Sequence, residues 1–162
     1  MELKNKVALV TGGARDIGRA VSISLAKHGA SVVLNYFDNP DDANETVKMI
    51  KDSGGDAIAV QGDVTRAASV ENMVNKTVET YGRIDILVNV AGGLMGRKPI
   101  VEMEEEFWDA IMDLYLKSVY RVCKAAIPKM NDGGAIVNFT SQAARDGGGG
   151  GAIAYATAQG GV

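Results

Sequence analysis

Short apolar runs without polar alternation recur along the chain, and each is followed by a segment with helical periodicity. The first run, at 7–10, ends abruptly at Thr11 and Gly12, which is typical of a strand buried on both faces. Similar runs predict strands at 32–36, 57–61, 84–90 and 135–140. Because strands and helices alternate, we expect an α/β fold with a doubly wound, mostly parallel sheet of about five strands.

Four helices are predicted between these strands, and a fifth begins near Tyr155. Asn39 followed by Pro40 is a typical helix start, since Asn caps free N–H groups and Pro fits the first turn. The predicted helices cover 19–28, 40–53, 70–81 and 104–130, and Gly82 closes the third of them. The last is apolar on nearly all sides, so we expect it to be buried against both the sheet and a second surface.

Composition narrows the class of protein. The chain has 162 residues, 46% apolar and 23% charged, which fits a single domain over 1–162. A net charge of −3 offers no basic surface for nucleic acid or anionic lipid. One Cys suits a reducing compartment, and no apolar run reaches the roughly 18 residues of a membrane span. We therefore expect a cytoplasmic protein without nucleic-acid or membrane partners.

The turn after the first strand is rich in glycine and opens a helix. It reads Thr-Gly-Gly-Ala-Arg-Asp-Ile-Gly over 11–18. Free N–H groups and the dipole at a helix start form an anion site, and glycine lets the main chain approach phosphates closely. Glycine also occurs in such turns for conformational reasons alone. The position between the first strand and first helix favours pyrophosphate binding.

Two further motifs complete a family pattern. Asp63-Val64 follows the third predicted strand, and Asn89-Val90-Ala91-Gly92 ends the fourth. With the glycine turn, they resemble the short-chain dehydrogenase/reductase family. In that family the first pair flanks the adenine, while the second motif ties strands together and lets the cofactor ribose lie close. The resemblance implies a Rossmann-like dinucleotide-binding domain with a nicotinamide cofactor.

The glycine turn departs from the family pattern at one position. Asp16 stands where the family has its middle glycine. Asp tolerates positive φ better than most residues, but its carboxylate repels a pyrophosphate unless it faces solvent or pairs with Arg15. The residues that the resemblance assigns to cofactor binding are Gly12, Arg15, Asp16, Ile17, Gly18, Tyr36, Asp63, Val64, Asn89, Ala91, Gly92 and Tyr155.

The choice between NAD and NADP depends on the end of the second strand. NAD users place an acidic residue there for the ribose 2′-hydroxyl, whereas this chain has Tyr36. Arg15 stands where NADP-preferring relatives often place a base, and a guanidinium binds phosphate through two parallel hydrogen bonds. Asp38, Asp41 and Asp42 nearby oppose a phosphate. We expect NADP, with NAD as second choice; Arg15 as a solvated charge paired with Asp16 is the alternative.

The resemblance also implies a catalytic set. The family reduces carbonyls or oxidises alcohols with Ser, Tyr, Lys and Asn. Here Tyr155 corresponds to the proton donor and Ser141 to the hydroxyl that orients the carbonyl, although their separation is one residue longer than usual. Gln159 replaces the Lys, and Tyr115 replaces the Asn. Ser141 as a turn residue and Tyr155 as a packing residue are the structural alternatives.

These replacements leave two functional hypotheses. A neutral amide hydrogen-bonds a ribose hydroxyl but cannot stabilise a tyrosinate, and losing such stabilisation costs about 2.7–4 kcal/mol. The first hypothesis is an NADP(H)-dependent oxidoreductase, similar to the 3-oxoacyl-acyl-carrier-protein reductase branch, acting on a small-molecule carbonyl or alcohol. The alternative is a truncated or altered nucleotide-binding module without competent catalysis.

The resemblance also bears on chain length and assembly. Family members continue beyond the position of Val162 with two further strands and a loop that covers the substrate. We therefore expect a domain incomplete at its C-terminus, with the later strands missing. Family members pair helices at the face of the long helix, so we expect a homo-oligomer through that helix.

Overall fold

Five parallel strands form the central sheet of the protein, seen in a computed structural model that describes residues 2–93 and 95–162. The strands are β1 (Val7–Thr11), β2 (Ser31–Tyr36), β3 (Asp56–Gln61), β4 (Ile84–Asn89) and β5 (Met130–Asn138). Their order across the sheet is β3-β2-β1-β4-β5, and every neighbouring pair is parallel. The predicted doubly wound parallel sheet is confirmed.

Helices cover both faces of this sheet. They are α1 (Asp16–Lys27), α2 (Pro40–Asp52), α3 (Ala67–Tyr81), α4 (Glu105–Met112), α5 (Ser118–Ala126), α6 (Ala143–Asp146) and α7 (Ile153–Gly160). The Asn39 side chain accepts from the N–H groups of Asp41 and Asp42, and Gly82 ends α3 in the left-handed conformation, as predicted. Helix α1 begins at Asp16, three residues earlier than expected.

The core consists of two apolar layers, one on each face of the sheet. Consecutive residues of a strand point to opposite faces, so Val10 packs in the layer of α1 and α2 while Leu9 packs in the layer of α3 and α5. Ile50 of α2 and Met73 of α3 are fully buried in their respective layers. Burial on both faces explains why the strands read as continuous apolar runs.

The predicted long helix over 104–130 is wrong in two respects. A π-helical turn at Asp113–Lys117 separates α4 from α5, and the helix ends in a 3-10 turn at Ile127–Lys129. Pro128 lies in that turn, where its missing N–H and ring are incompatible with a continuing α-helix. Met130 pairs with Ile84 instead, so β5 begins five residues earlier than predicted and ends at Asn138 rather than Thr140.

The outer faces of α5 and β5 are exposed. Tyr120 on α5 and Ile127 after it are 58% and 54% exposed, so the expectation of burial on all sides is wrong for this face. Ile136 and Val137 on the edge strand β5 are also exposed. Among the helices that the structure describes, none combines the length and apolar character needed to cross a bilayer.

Candidate active site

Two adjoining cavities open at the carboxyl ends of the strands. The outer cavity, about 860 Å³, is lined by the turn at 12–18, the end of β2 and the residues after β3 and β4. The inner cavity, about 260 Å³, is lined by Thr11, Asn89, Tyr115, Tyr155 and Gln159 among others. Both meet where the chain order reverses between β1 and β4, the usual place for a ligand in a doubly wound sheet.

The glycine turn is packed as tightly as a phosphate-binding turn requires. A Cβ on Gly12, whose φ is +64°, would lie 2.8 Å from the Cα of Ala91. A Cβ on Gly18 would overlap the carbonyl oxygen of Gly12. Asp16, Ile17 and Gly18 in the first turn of α1 line the outer cavity, and the N–H groups of a first helical turn have no carbonyl partner within their own helix. These residues fit a pyrophosphate at the start of α1.

Asp16 adopts the positive φ expected of it, +49°. Its carboxylate lies 3.7 Å from the Nε of Arg15, and the two side chains are 84% and 60% exposed. This ion pair corresponds to the alternative prediction for Arg15, a solvated charge paired with Asp16. Because the carboxylate faces solvent, water and salt screen much of its repulsion toward an anion in the turn.

Sequence reasoning missed Asn35, which holds the outer cavity together. Its side chain is buried, and its Oδ1 accepts from the N–H of Gly12 at 3.2 Å. Its Nδ2 donates to the carbonyl groups of Gly62, Tyr36 and Val60 at 2.9, 3.2 and 3.3 Å. Asn35 thus ties the glycine turn to β2 and β3. A polar amide inside the apolar run at 32–36 was the signal that could have found it.

At the far end of the outer cavity, Asp63 organises its own turn. Its Oδ1 accepts from the N–H and hydroxyl of Thr65 at 2.8 and 2.6 Å, and its N–H donates to the hydroxyl of Ser69 at 2.8 Å. Val64 is buried and lines both cavities. Tyr36 also borders this cavity. The carboxylate of Asp63 therefore fixes the backbone that carries Val64.

The residues at the ends of β1 and β4 are locked to each other. The hydroxyl of Thr11 accepts from the N–H groups of Val90 and Ala91, both at 3.2 Å. Thr11 is a second residue to which the sequence alone assigned no role. The Nδ2 of Asn89 donates to the Oδ1 of Asn138 at 2.9 Å, which joins β4 to β5. The Oδ1 of Asn89 is buried, and it has no hydrogen-bond partner among residues 2–93 and 95–162. Ala91 and Gly92 border both cavities.

The inner cavity brings three of the four predicted catalytic positions together. Tyr155 lies in the first turn of α7, and Gln159 follows one turn later on the same face, nearly buried. The Tyr115 ring meets the Tyr155 ring edge to face, with centroids 4.9 Å apart. The Tyr115 hydroxyl donates to the carbonyl of Gly93 and accepts from its N–H.

Tyr115 is held in its protonated form. Burial raises the pKa of its hydroxyl, and the neighbouring Tyr155 raises it further, which together outweigh the hydrogen bond to the backbone of Gly93. The hydroxyl therefore stays a hydrogen-bond donor at neutral pH. In this position its hydroxyl contacts the backbone of Gly93.

Ser141 lies at the edge of this group. Thr140 lines the inner cavity and donates its hydroxyl to the carbonyl of Gln159 at 2.5 Å. The Ser141 hydroxyl accepts from the N–H of Ala143 at 3.2 Å, just ahead of α6. The Ser141 hydroxyl thus closes the local turn that leads into α6, and its contact with a substrate carbonyl stays a prediction.

Comparison with known proteins supports a nucleotide-binding enzyme fold. A sequence model described as short chain dehydrogenase matches residues 6–162. The 3-oxoacyl-acyl-carrier-protein reductase FabG from Staphylococcus epidermidis is 37% identical over 139 residues, which are 85% of this chain and 57% of that protein. The chain therefore spans little more than half the length of this curated relative.

Solved structures with the same fold include complexes with both cofactors. The NADH-dependent reductase A1-R′ in complex with NAD is 37% identical with a TM-score of 0.92, covering 98% of this chain and 68% of that one. A short chain dehydrogenase from Burkholderia cenocepacia in complex with NADP is 32% identical with a TM-score of 0.93, covering 99% and 65%.

Proposed function

Because the chain belongs to the short-chain dehydrogenase family of oxidoreductases, we propose that it binds a nicotinamide dinucleotide across the outer and inner cavities and reduces a small-molecule carbonyl or oxidises the corresponding alcohol. One observation carries this proposal. The glycine turn and the Tyr155–Gln159 face of α7 lie along two adjoining cavities that share Ile17, Val64 and the residues after β4.

The cofactor would lie with its pyrophosphate at Gly12, Ile17 and Gly18. Asp63 and Val64 would border the adenine, and the main chain at Asn89, Ala91 and Gly92 would border the nicotinamide ribose. When bound, the nicotinamide supplies or accepts the hydride. The close approach of Gly12 to Ala91 leaves no room for a side chain between the turn and the end of β4. The cofactor would therefore lie against backbone atoms at this point.

For the cofactor we propose NADP(H) over NAD(H). Tyr36 offers no carboxylate to a ribose 2′-hydroxyl, and Arg15 borders the outer cavity with a guanidinium suited to a 2′-phosphate. The Kd values for NADPH and NADH from calorimetry test this preference. We expect Arg15→Ala to weaken NADPH binding about tenfold and leave NADH binding unchanged. Arg145→Ala, an exposed charge on α6, is the control; equal losses for both cofactors would contradict the preference.

In the proposed reaction, Tyr155 holds the proton that passes to the substrate oxygen. Tyr155 lies in the first turn of α7 and lines the inner cavity, which supports this role. Gln159 offers an amide to a ribose hydroxyl, and Ser141 would orient the carbonyl after leaving its bond to the N–H of Ala143. Since Gln159 carries no charge, we expect turnover slower than that of relatives with Lys by about 10²–10³-fold.

The test is NADPH oxidation with a 3-oxoacyl thioester and with a simple diketone. The thioester is chosen because the chain resembles 3-oxoacyl-acyl-carrier-protein reductases. We expect slow turnover that Tyr155→Phe abolishes, whereas Tyr120→Phe, at an exposed tyrosine on α5, leaves it intact. Turnover that survives in Tyr155→Phe would remove Tyr155 from the chemistry.

A second candidate function is cofactor binding without turnover. Gln159 and Tyr115 favour it, since Gln159 supplies no charge where the family has Lys, and the Tyr115 hydroxyl is bound to the backbone of Gly93 where the family has Asn. NADPH binding without oxidation of the cofactor by either substrate would support cofactor binding without turnover and would reject the oxidoreductase function.

A further inference from the structure

The five glycines at 147–151 lie directly ahead of the helix that carries Tyr155. Four of them have positive φ, between +68° and +81°. Glycine loses more conformational freedom on ordering than any other residue, and it has no side chain to anchor it. A run of this kind therefore keeps one conformation only where contacts from outside hold its backbone.

Those contacts come from the segment after β4. The Nη1 of Arg97 donates to the carbonyl of Gly148 at 2.7 Å and to that of Gly150 at 3.4 Å. The N–H of Lys98 donates to the carbonyl of Gly151 at 3.0 Å. A Cβ on Gly151 would lie 3.1 Å from that same nitrogen, so the two backbones approach as closely as glycine allows.

A short chain of hydrogen bonds connects this contact to the first turn of α7. The N–H of Ala152 donates to the carbonyl of Gly149 at 3.2 Å, and the carbonyl of Ala152 accepts from Ala156 at 2.8 Å to begin the helix. Tyr155 lies inside that first turn. Hydrogen bonds thus connect the glycine run to the turn of α7 that carries Tyr155.

The segment that carries Arg97 also borders the cavities. Gly92 and Gly93 line both of them, and the Tyr115 hydroxyl fixes the backbone at 93. Arg97 therefore connects the segment after β4 to the glycine run ahead of Tyr155. It does so by donating to backbone carbonyl groups of that run. Its guanidinium is suited to this because one nitrogen reaches two acceptors from a rigid plane.

We propose that Arg97 is a positioning residue that clamps the glycine run at 147–151 and thereby holds Tyr155 in place for proton transfer. The inference rests on the proposed function for its effect on turnover, and on the hydrogen bonds above for its effect on structure. Arg97 lines neither cavity, so it acts through the loop and not by contact with cofactor or substrate.

The experiment compares Arg97→Ala, Arg97→Lys and Arg145→Ala in the full chain. Arg145→Ala removes the same charge from exposed α6 beside the same loop, so it separates charge from the clamp. We expect kcat for NADPH oxidation to fall about tenfold in Arg97→Ala with the Kd for NADPH unchanged, and about threefold in Arg97→Lys, which keeps one donor. A rise in the Kd for NADPH together with the fall in kcat, or equal effects in Arg145→Ala, would overturn the clamp.

Two measurements remain valid even without turnover. Amide hydrogen exchange at 148–152 is expected to be faster in Arg97→Ala than in wild type and unchanged in Arg145→Ala. The carbon-13 resonance of a labelled Tyr155 ring is expected to shift in Arg97→Ala alone. If the wild type oxidises no NADPH, the proposed chemistry fails and these readouts decide the clamp; unchanged exchange and an unchanged resonance would reject it.

Discussion

The rings of Tyr115 and Tyr155 meet edge to face at an interplanar angle of 80°, with centroids 4.9 Å apart. Such pairs contribute about 0.5–1.5 kcal/mol beyond the area they bury. The Tyr115 hydroxyl is bound to the backbone of Gly93 on the other side. Tyr115 therefore connects the helix that carries Tyr155 to the loop that lines both cavities.

Removing only the hydroxyl of Tyr115 tests this connection. We expect Tyr115→Phe to keep the ring pair but release the backbone at Gly93, lowering the free energy of unfolding by about 1 kcal/mol. Loosening this cavity wall also raises the Kd for NADPH about threefold. Urea unfolding and calorimetry measure the two effects. Tyr120→Phe, at an exposed tyrosine, is the control, and equal behaviour of both variants would refute the connection.

Restoring the family's residues tests whether the inner cavity still forms an active site. Gln159 lines this cavity on the same helical face as Tyr155, so a lysine there would place a positive charge near the phenol. We expect Gln159→Lys combined with Tyr115→Asn to raise the rate of NADPH oxidation by about 10²-fold. Gln142→Lys, which adds the same charge at an exposed position, should have no effect. A double variant no faster than wild type would show that the remaining scaffold does not support the relay.

The unusual Asp16 provides a separate test of the pyrophosphate site. Its φ of +49° suits glycine better, and the residue lines the outer cavity while its carboxylate faces solvent. Because the side chain is exposed, we expect Asp16→Gly to lower the Kd for NADPH only about threefold. Asp16→Asn removes the charge but keeps the strained Cβ, so it separates the two causes. An unchanged Kd for NADPH in both variants would indicate that the pyrophosphate binds away from this turn.

The buried carboxylate of Asp85 makes stability depend on acid pH. Burial alone raises the pKa of this carboxyl, but hydrogen bonds from Arg83 and the N–H of Val7, with the charge of Arg83, outweigh burial and lower the pKa. A lowered folded-state pKa stabilises the fold fully above the unfolded value of about 3.9. That contribution is lost as the pH falls through the folded pKa.

We therefore expect the free energy of unfolding in urea to drop below about pH 4. Asp85→Asn should lower it by about 1–3 kcal/mol at pH 7 and remove part of the acid dependence. Asp52→Asn, which breaks an exposed ion pair with Lys48, should change stability by less than about 0.5 kcal/mol. An unchanged pH profile in Asp85→Asn would show that other carboxylates cause the acid loss.

Self-association through the outer face of α5 is the last prediction. Tyr120 on α5 and Ile127 directly after it are more than half exposed, and exposed apolar surface is a common feature of contacts between protein chains. We expect sedimentation velocity to show a dimer or larger species, and Tyr120→Lys to shift it toward the monomer. Met49→Lys, at an exposed apolar position on α2, is the control. A wild-type chain that sediments as a single monomeric species would contradict the prediction.

Most of the fold could be predicted from local sequence signals. The uninterrupted run at 7–10 indicated burial on both faces, and Asn39, Pro40 and Gly82 marked helix ends, because capping and left-handed turns depend on the residue itself. The end of the long helix could not be predicted in this way. Met130 belongs to β5 and not to the helix because it pairs with Ile84, which lies in a distant part of the chain. No local sequence pattern shows such a pairing.

The same distinction applies to the candidate site. The motifs at 11–18 and 89–92 predicted from sequence that the glycine turn and the end of β4 lie against each other, because close backbone approach demands glycine and alanine at fixed positions. Tertiary structure alone decided how Asn35 joins the turn to two strands, how Tyr115 contacts Gly93, and how Arg97 reaches the glycine run. Each of these contacts joins residues 22 or more positions apart, so the fold had to bring them together before their chemistry could be assigned.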